Sequence, residues 1–229
     1  MNKLIRIYLF LFCVFACEYS IALPSIDIHN KASLQRGAAL FINYCSGCHS
    51  LNYLSYKQMA QDLEIPVSLL KKNLIFTQSK VTDPIRVALE PEDAKQWFGL
   101  MPPDLSLSAR QRGRAWLYRY LTGFYQDDTR PFGVNNSLIP NVAMPDVLES
   151  LRKKSLLNNP HQSYLNNTQK EKTHTEEFEQ ELGDLINFLA YVGEPARLQR
   201  TQLGPFVILF LMIFLLPVYY LKRLYWSNK

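Results

Sequence analysis

The clearest hydrophobic pattern in the chain lies at 175–192, where apolar residues recur at the spacing of one helix face. Glu176 and Glu177 stand in its first turn, where negative charge suits the positive end of a helix dipole. Gly193 and Pro195 follow it and are typical of a helix end. The sequence therefore predicts an amphipathic helix whose buried face is formed by Phe178, Leu182, Leu185, Ile186 and Leu189.

A second helix is predicted over 34–44. Ser33 stands immediately before it and is a favoured N-cap residue, and Gly37 and Phe41 are four residues apart on one face. Glycine has no side chain, so a neighbouring helix can approach closely at that position. We expect this helix to cross the one at 175–192, with Gly37 at the crossing.

Shorter patterns lie between these two helices. A short helix is expected over 94–98 and a longer one over 110–125, where aromatic and leucine residues recur at helical spacing. Proline, glycine and asparagine are frequent in 127–141, which predicts an ordered loop. The stretch 152–174 is polar without periodicity and is interpreted as a surface excursion. Because the sequence contains no alternating strand pattern of any length, we predict an all-α fold.

The first 22 residues have the features of a secretory signal peptide. Two basic residues open the segment, an apolar run at 7–16 is too short to span a bilayer comfortably, and small Ser20 and Ala22 stand where a signal peptidase reads. The alternative is a retained anchor helix. We predict a signal peptide over 1–22 and an exported domain over 23–201.

The segment 204–221 contains no charged residue and predicts a transmembrane helix. Eighteen residues at about 1.5 Å each give roughly 27 Å, just enough to cross the hydrocarbon core. Pro205 suits the first turn of such a helix. Basic residues follow the segment, so we expect a cytoplasmic tail at 222–229 and the exported domain on the periplasmic side of the inner membrane.

Most of the formal net charge of +5 comes from the two ends of the chain. Between positions 23 and 203 there are 20 basic and 19 acidic residues, so the charges nearly balance in the exported domain. This balance gives no basic patch of the kind that binds nucleic acid, and we predict no nucleic-acid partner.

The candidate chemistry lies in Cys45-Ser46-Gly47-Cys48-His49. In an exported chain, C-x-x-C-H is the signature of covalent haem c attachment. Two cysteines three residues apart lie about one helical turn apart, so both sulfurs can reach the two vinyl groups on one edge of the porphyrin. His49 then places its imidazole under the iron as an axial ligand.

A C-x-x-C pair has two other common uses. A thioredoxin-like redox pair belongs to a strand–helix–strand context, which the sequence does not show. A zinc site needs four ligands, and His161 and His174 are the available partners, but their spacing of thirteen fits no usual zinc finger. The sequence therefore favours haem.

The second axial position of the iron has several candidate ligands. Met101 and Met144 each stand beside a proline, which fixes a thioether without requiring a helix, whereas Met59 lies close after His49 for a chain that must reach the opposite haem face. Position alone favours Met144 only slightly over Met101, because methionine is usually core filler. The candidates are Met59, Met101, Met144, His29, His161 and His174.

Several motifs together resemble one family. They are Leu34-Gln35-Arg36-Gly37-Ala38, Asn43 to Leu51 around the C-x-x-C-H run, Pro102 to Leu107 with Ala109-Arg110 and Arg112-Gly113, Arg130-Pro131-Phe132-Gly133-Val134-Asn135-Asn136 leading to Met144-Pro145, and Gly183 to Pro195. The chain resembles bacterial cytochrome c1, the haem subunit of the cytochrome bc1 (ubiquinol–cytochrome c reductase) complex. The resemblance covers essentially all of the chain beyond residue 22.

The resemblance implies a role for each matching residue. Cys45 and Cys48 match the thioether cysteines, His49 the proximal ligand, and Met144 the distal methionine. Arg110 matches an arginine beside a haem propionate, where a planar cation suits a carboxylate. The chain departs from the family at Ser55, Ala115 and Asp146, where arginine, aspartate and histidine are common in relatives.

The implied function is electron transfer through one covalent haem c in a non-catalytic subunit of the respiratory complex. The implied donor is the Rieske iron-sulfur protein and the implied acceptor a cytochrome c, with cytochrome b as the membrane partner of 204–221. Two alternatives stay open: a free-standing membrane-tethered electron shuttle, and a haem sensor or peroxidase.

Overall fold

The structure is a computed structural model, and it describes residues 27–158 and 176–226. Helices dominate these residues. In chain order the elements are α1 (Lys31–Tyr44), β1 (Leu51–Ser55), α2 (Tyr56–Asp62), α3 (Val67–Asn73), β2 (Pro84–Ile85), α4 (Pro91–Phe98), α5 (Ser108–Arg112), α6 (Arg114–Thr122), β3 (Phe124–Gln126), β4 (Val134–Asn136), α7 (Glu149–Asn158), α8 (Glu176–Gly193) and α9 (Arg197–Trp226).

Two small antiparallel ribbons interrupt the helices, so the expected all-α class is only approximately right. In the first, β1 pairs with β2 through Leu51 opposite Ile85, with an irregular register. In the second, β3 pairs with β4 through Phe124 opposite Asn136. The four strands are two to five residues long. Segments this short cannot produce a recognisable alternating pattern.

The core forms where α1 crosses α8, as predicted. A Cβ atom built on Gly37 would lie 2.1 Å from the backbone oxygen of Asp184, so only glycine fits this crossing. Phe41 and Phe188, both fully buried, pack beside it with ring centroids 5.9 Å apart. Burying one such side chain stabilises the fold by roughly 1.5–3 kcal/mol relative to leaving it exposed.

Polar contacts fix the crossing as well. The Arg36 guanidinium donates to both carboxylate oxygens of the largely buried Asp184, at 2.6 and 3.1 Å. The Tyr191 hydroxyl, from the same helix α8, donates to Asp62 Oδ2 at 2.7 Å. Helix α8 is therefore tied to α1 and to the end of α2 by buried or half-buried hydrogen bonds.

Helix α1 begins one turn earlier than predicted. Asn30, not Ser33, is its N-cap, and the Asn30 side chain accepts from the backbone N–H of Ser33 at 3.1 Å. Ser33 is buried inside the helix, and its hydroxyl accepts from Asn187 Nδ2 at 2.9 Å. Serine and asparagine both cap helices well. Because the Ser33 hydroxyl bonds to Asn187 of α8, Ser33 lies inside the helix and Asn30 caps it.

The predicted helix over 110–125 is broken in two. Gly113 has φ of 82°, a conformation that ends α5 and precedes α6. The chain then leaves helical geometry at Gly123 and enters β3. The apolar residues that predicted this helix all follow Gly113, so their periodicity carried no information about the break. The predicted short helix at 94–98 is longer at its start, because Pro91 opens α4.

Helix α7 covers the beginning of the predicted polar excursion. It runs through residue 158, and Leu151 and Ser155 are buried, so this part packs into the domain. Residues 159–174 of the excursion, with His161 and His174, lie outside the described residues, as does the predicted signal peptide over 1–22.

Helix α9 is the one described helix long and apolar enough to cross a membrane. It contains the predicted segment 204–221 but begins at Arg197, so Pro205 lies inside the helix and not in its first turn. None of its side chains is buried against the other described residues. A helix with an apolar surface on all sides needs lipid or other apolar helices around it.

Candidate haem site

The C-x-x-C-H segment forms a tight turn at the C-terminal end of α1. The Cys45 N–H donates to Phe41 O at 2.8 Å, and the N–H groups of Cys48 and His49 donate to Cys45 O at 3.1 and 2.9 Å. Cys45 is buried and Cys48 is half-buried. One turn of chain therefore presents two thiols and an imidazole together, as the motif predicts.

Burial disfavours the charged form of both thiols. Burial raises the pKa of Cys45 to about 12, with the neighbouring Cys48 charge adding to the shift. Burial also raises the pKa of Cys48. Redox-active C-x-x-C pairs depend on a lowered thiol pKa. The two cysteines therefore lack the electrostatic environment of a dithiol redox centre.

The imidazole of His49 is oriented by a backbone carbonyl. Its Nδ1 lies 2.7 Å from Pro103 O. A carbonyl can only accept, so Nδ1 carries the proton and the lone pair is on Nε2. Burial lowers the pKa of His49, although the hydrogen bond to Pro103 and the charge of Asp104 oppose that shift. A neutral imidazole held through one nitrogen, with the other nitrogen available, is what an axial iron ligand requires.

The segment that supplies this carbonyl is itself fixed beside the turn. Asp104 Oδ2 accepts from the backbone and side-chain nitrogens of Asn52 at 2.8 and 2.9 Å. The Leu105 N–H donates to Ser50 O at 2.9 Å. The role of the Pro102–Leu107 motif as the support of His49 was not predicted from the sequence. Its position 54 residues away left no local signal.

The three candidate methionines of the described domain differ in their surroundings. Met59 is fully buried in the core, where its role is packing. Met101 is 37% exposed. Met144 is half-buried against the core, and its Sδ accepts a hydrogen bond from the Tyr120 hydroxyl at 3.5 Å. Of the histidine candidates, His29 contacts Thr201 of α9 through Nε2 at 3.0 Å.

The loop before Met144 is ordered by asparagine side chains. Asn135 Oδ1 accepts from the N–H groups of Asn136 and Asn141 at 2.9 and 2.8 Å. Asn136 Nδ2 donates to Tyr120 O at 2.8 Å, and Arg130 Nη2 donates to Asn141 O at 3.1 Å. This network holds the loop against α6, which agrees with the predicted ordered loop.

Arg110 lies on α5 with an exposed side chain. A Cβ atom built on Gly193 would lie 3.4 Å from both Arg110 N and Arg110 Cβ, so the backbone of α5 packs on the end of α8. Among the described residues the Arg110 guanidinium has no ion pair or hydrogen bond. It is therefore free to bind an anionic group, and its propionate contact stays a prediction.

Two of the three residues that depart from the family pattern have local polar partners. Ser55 caps α2 by accepting from Gln58 N at 3.1 Å. Asp146 pairs with Arg152 at 3.0 Å, with both side chains largely buried. Ala115 is half-buried in α6. Within the described ranges, no group of three or more His, Cys, Asp or Glu side chains is placed to hold a metal ion. His161 and His174, the histidines of the zinc alternative, lie outside those ranges.

A C-x-x-C-H turn beside a proline-supported imidazole defines a c-type cytochrome. The model of the Cytochrome C1 family matches residues 24–229, and the chain belongs to the cytochrome c1 family. It is similar to cytochrome c1 of Allochromatium vinosum, with 44% identity over 213 residues that cover 89% of this chain and 87% of the relative.

Two further relatives differ in their sequence identity to this chain. The chain is 40% identical over 203 residues to a protein of Nitrosomonas europaea named ammonia monooxygenase gamma subunit, covering 89% of this chain and 86% of the relative. It is 28% identical over 221 residues to a mitochondrial cytochrome c1 heme protein of Arabidopsis thaliana, and the match covers 88% of this chain and 69% of the relative. Proteins of this family carry a covalently bound haem c, and the chain is a haem-containing electron-transfer subunit of the bc1 type.

Proposed function

We propose that Cys45 and Cys48 hold the haem through thioether bonds and that His49 and Met144 are its axial ligands. The observation that carries this proposal is the hydrogen bond from His49 Nδ1 to Pro103 O. It fixes the imidazole tautomer so that Nε2 is the only nitrogen available to iron. Met144 is supported as the second ligand by its place after the asparagine-ordered loop and beside Pro145.

The function follows from a closed coordination sphere. When bound, the haem supplies an iron that alternates between Fe(III) and Fe(II) by one electron. If His49 and Met144 both held the iron, no ligand position would be left for oxygen or peroxide. The residues of this chain then serve to hold the group, exclude water and set its potential, as an electron carrier requires.

The proposed partners are those of a bc1 complex. We place the Rieske iron-sulfur protein as the donor, a cytochrome c as the acceptor, and cytochrome b beside α9. The apolar surface of α9, which no other described residue covers, supports a membrane partner. Lys222 and Arg223 follow its apolar segment, and the positive-inside tendency places them in the cytoplasm and the haem domain in the periplasm.

The test is to purify the chain from its native membranes in mild detergent and identify what accompanies it. Cytochrome b and the Rieske protein should co-purify, and added quinol should reduce this haem in the intact complex. Removing the Rieske protein should abolish that reduction while dithionite still reduces the haem. A chain that purifies alone, and whose haem never receives electrons from quinol, would instead be a free-standing shuttle.

A further inference from the structure

The Tyr120 hydroxyl makes a contact that the electron-transfer assignment does not use. Its Oη lies 3.5 Å from Met144 Sδ and donates a hydrogen bond to it. A thioether sulfur has two lone pairs. One can be given to iron while the other accepts from a phenol, so ligation and this hydrogen bond are compatible. Tyr120 is thus placed to act on the sulfur through a lone pair that a bound iron would not need.

The Tyr120 ring is held firmly in the position that aims its hydroxyl. It stacks on Trp116, one turn earlier in α6, with centroids 5.0 Å apart and an interplanar angle of 6°. Phe124 meets it edge-on at 5.5 Å. Two aromatic neighbours leave the ring little rotational freedom. The direction of the O–H group is therefore set by packing and not by the hydrogen bond alone.

The backbone of the same residue is tied to the loop that leads to Met144. Asn136 Nδ2 donates to Tyr120 O at 2.8 Å, while the side chain of Asn135 holds Asn141 from the same loop. The hydroxyl and the sulfur therefore belong to two segments joined at a second point. Their separation is a constrained distance and not a chance surface contact.

We infer that Tyr120 is a positioning residue that orients Met144 and, through its hydrogen bond, raises the reduction potential of the haem. The O–H dipole points its positive end at the sulfur and draws electron density from it. A sulfur that donates less stabilises Fe(III) less while it keeps the soft ligation that favours Fe(II), so the reduced state is favoured. This inference rests on the proposed ligation by Met144.

The test compares two tyrosines of one helix. Tyr120→Phe keeps the aromatic stack and removes only the hydroxyl. In the haem-loaded full chain, its midpoint potential should fall, while the absorption band of Met–Fe(III) charge transfer near the red end of the spectrum persists. Tyr118→Phe is the control, because the Tyr118 hydroxyl donates to Glu179 at 3.0 Å and not to Met144. Its potential should equal that of the wild type.

Different results would overturn the role of Tyr120 and the assignment of Met144 as a ligand. If Met144→Leu changes neither the potential nor the band, the ligand is wrong. If Met144→Leu abolishes the band but Tyr120→Phe leaves the potential unchanged, only the role of Tyr120 is overturned. Combining Tyr120→Phe with Met144→Leu should lower the potential no further than Met144→Leu alone, because the sulfur that transmits the effect is absent.

A second variant tests the role of Tyr120 if Tyr120→Phe does not bind haem. Trp116→Leu keeps the hydroxyl but removes the ring on which Tyr120 stacks. Its potential should fall in the same direction and by a smaller amount, since the hydroxyl is less well aimed. A potential equal to the wild type in Trp116→Leu would contradict a role for the fixed ring.

Discussion

The substitution Gly37→Ala tests the helix crossing that supports the haem turn. The added Cβ would lie 2.1 Å from Asp184 O and 2.6 Å from Phe188 Cβ. The first distance is more than 1 Å short of the roughly 3.5 Å favoured between non-bonded heavy atoms. Because the nearest atom is backbone, no side-chain rotation can relieve the contact, and α1 and α8 must move apart.

Two opposing effects set the size of the change in unfolding free energy. Replacing glycine by alanine inside a helix gains about 1 kcal/mol of helix propensity. Overpacking costs about 1–3 kcal/mol, and a rigid backbone contact belongs at or beyond the upper end of that range. The net loss is then about 2 kcal/mol, and the midpoint of thermal unfolding should fall by about 4–8 °C in a chain of this size.

The assay is thermal unfolding of the detergent-solubilised, haem-loaded protein. Gly204→Ala is the matched control, since Gly204 also lies in a helix and an added Cβ would meet no described atom within 4 Å. The control should unfold at the wild-type temperature or slightly above it. If Gly37→Ala also unfolds no lower than the wild type, helix propensity outweighs the contact and the crossing is looser than described.

Three further outcomes are expected. Arg110→Gln should lower the haem midpoint potential while leaving haem content intact, because it removes a positive charge beside the proposed propionate; an unchanged potential would make Arg110 a surface residue. Tyr191→Phe should lower the free energy of unfolding by about 1–2 kcal/mol in thermal or denaturant unfolding, because Asp62 loses its phenol donor; wild-type stability would show that water replaces the donor. Wild-type haem should remain on the polypeptide in denaturing gels stained for haem, and Cys45→Ala with Cys48→Ala together should abolish that staining; haem staining that survives the double substitution would contradict the attachment.

Sequence predicted the parts of the fold that depend on periodicity and on residue type. Helix α8 followed from its apolar face, and the crossing with α1 followed from a glycine on the face that carries Phe41. Both depend on properties that a residue keeps wherever it lies in the chain. The break at Gly113 was missed because it depends on a positive φ at one residue, and the apolar residues that predicted the helix all lie after it.

Contacts between distant residues were the least predictable. The pairing of β1 with β2 joins segments about thirty residues apart through a few hydrogen bonds, without a hairpin signal. The start of α9 at Arg197 was missed because polar helical residues before a membrane segment do not add to its hydrophobicity. The supports of His49 and Met144, from Pro103 and Tyr120, are likewise long-range and came only from the structure.

The most direct test of the haem site is a comparison of Met144→Leu with Met101→Leu. Leucine keeps the volume and apolar character of methionine, so both variants should fold. Met144→Leu should lose the Met–Fe(III) charge-transfer band, show a markedly lower midpoint potential, and bind carbon monoxide when reduced. Met101→Leu should retain the band and the potential and bind no carbon monoxide. The opposite pattern would make Met101 the ligand and would contradict the site built on the loop before Met144.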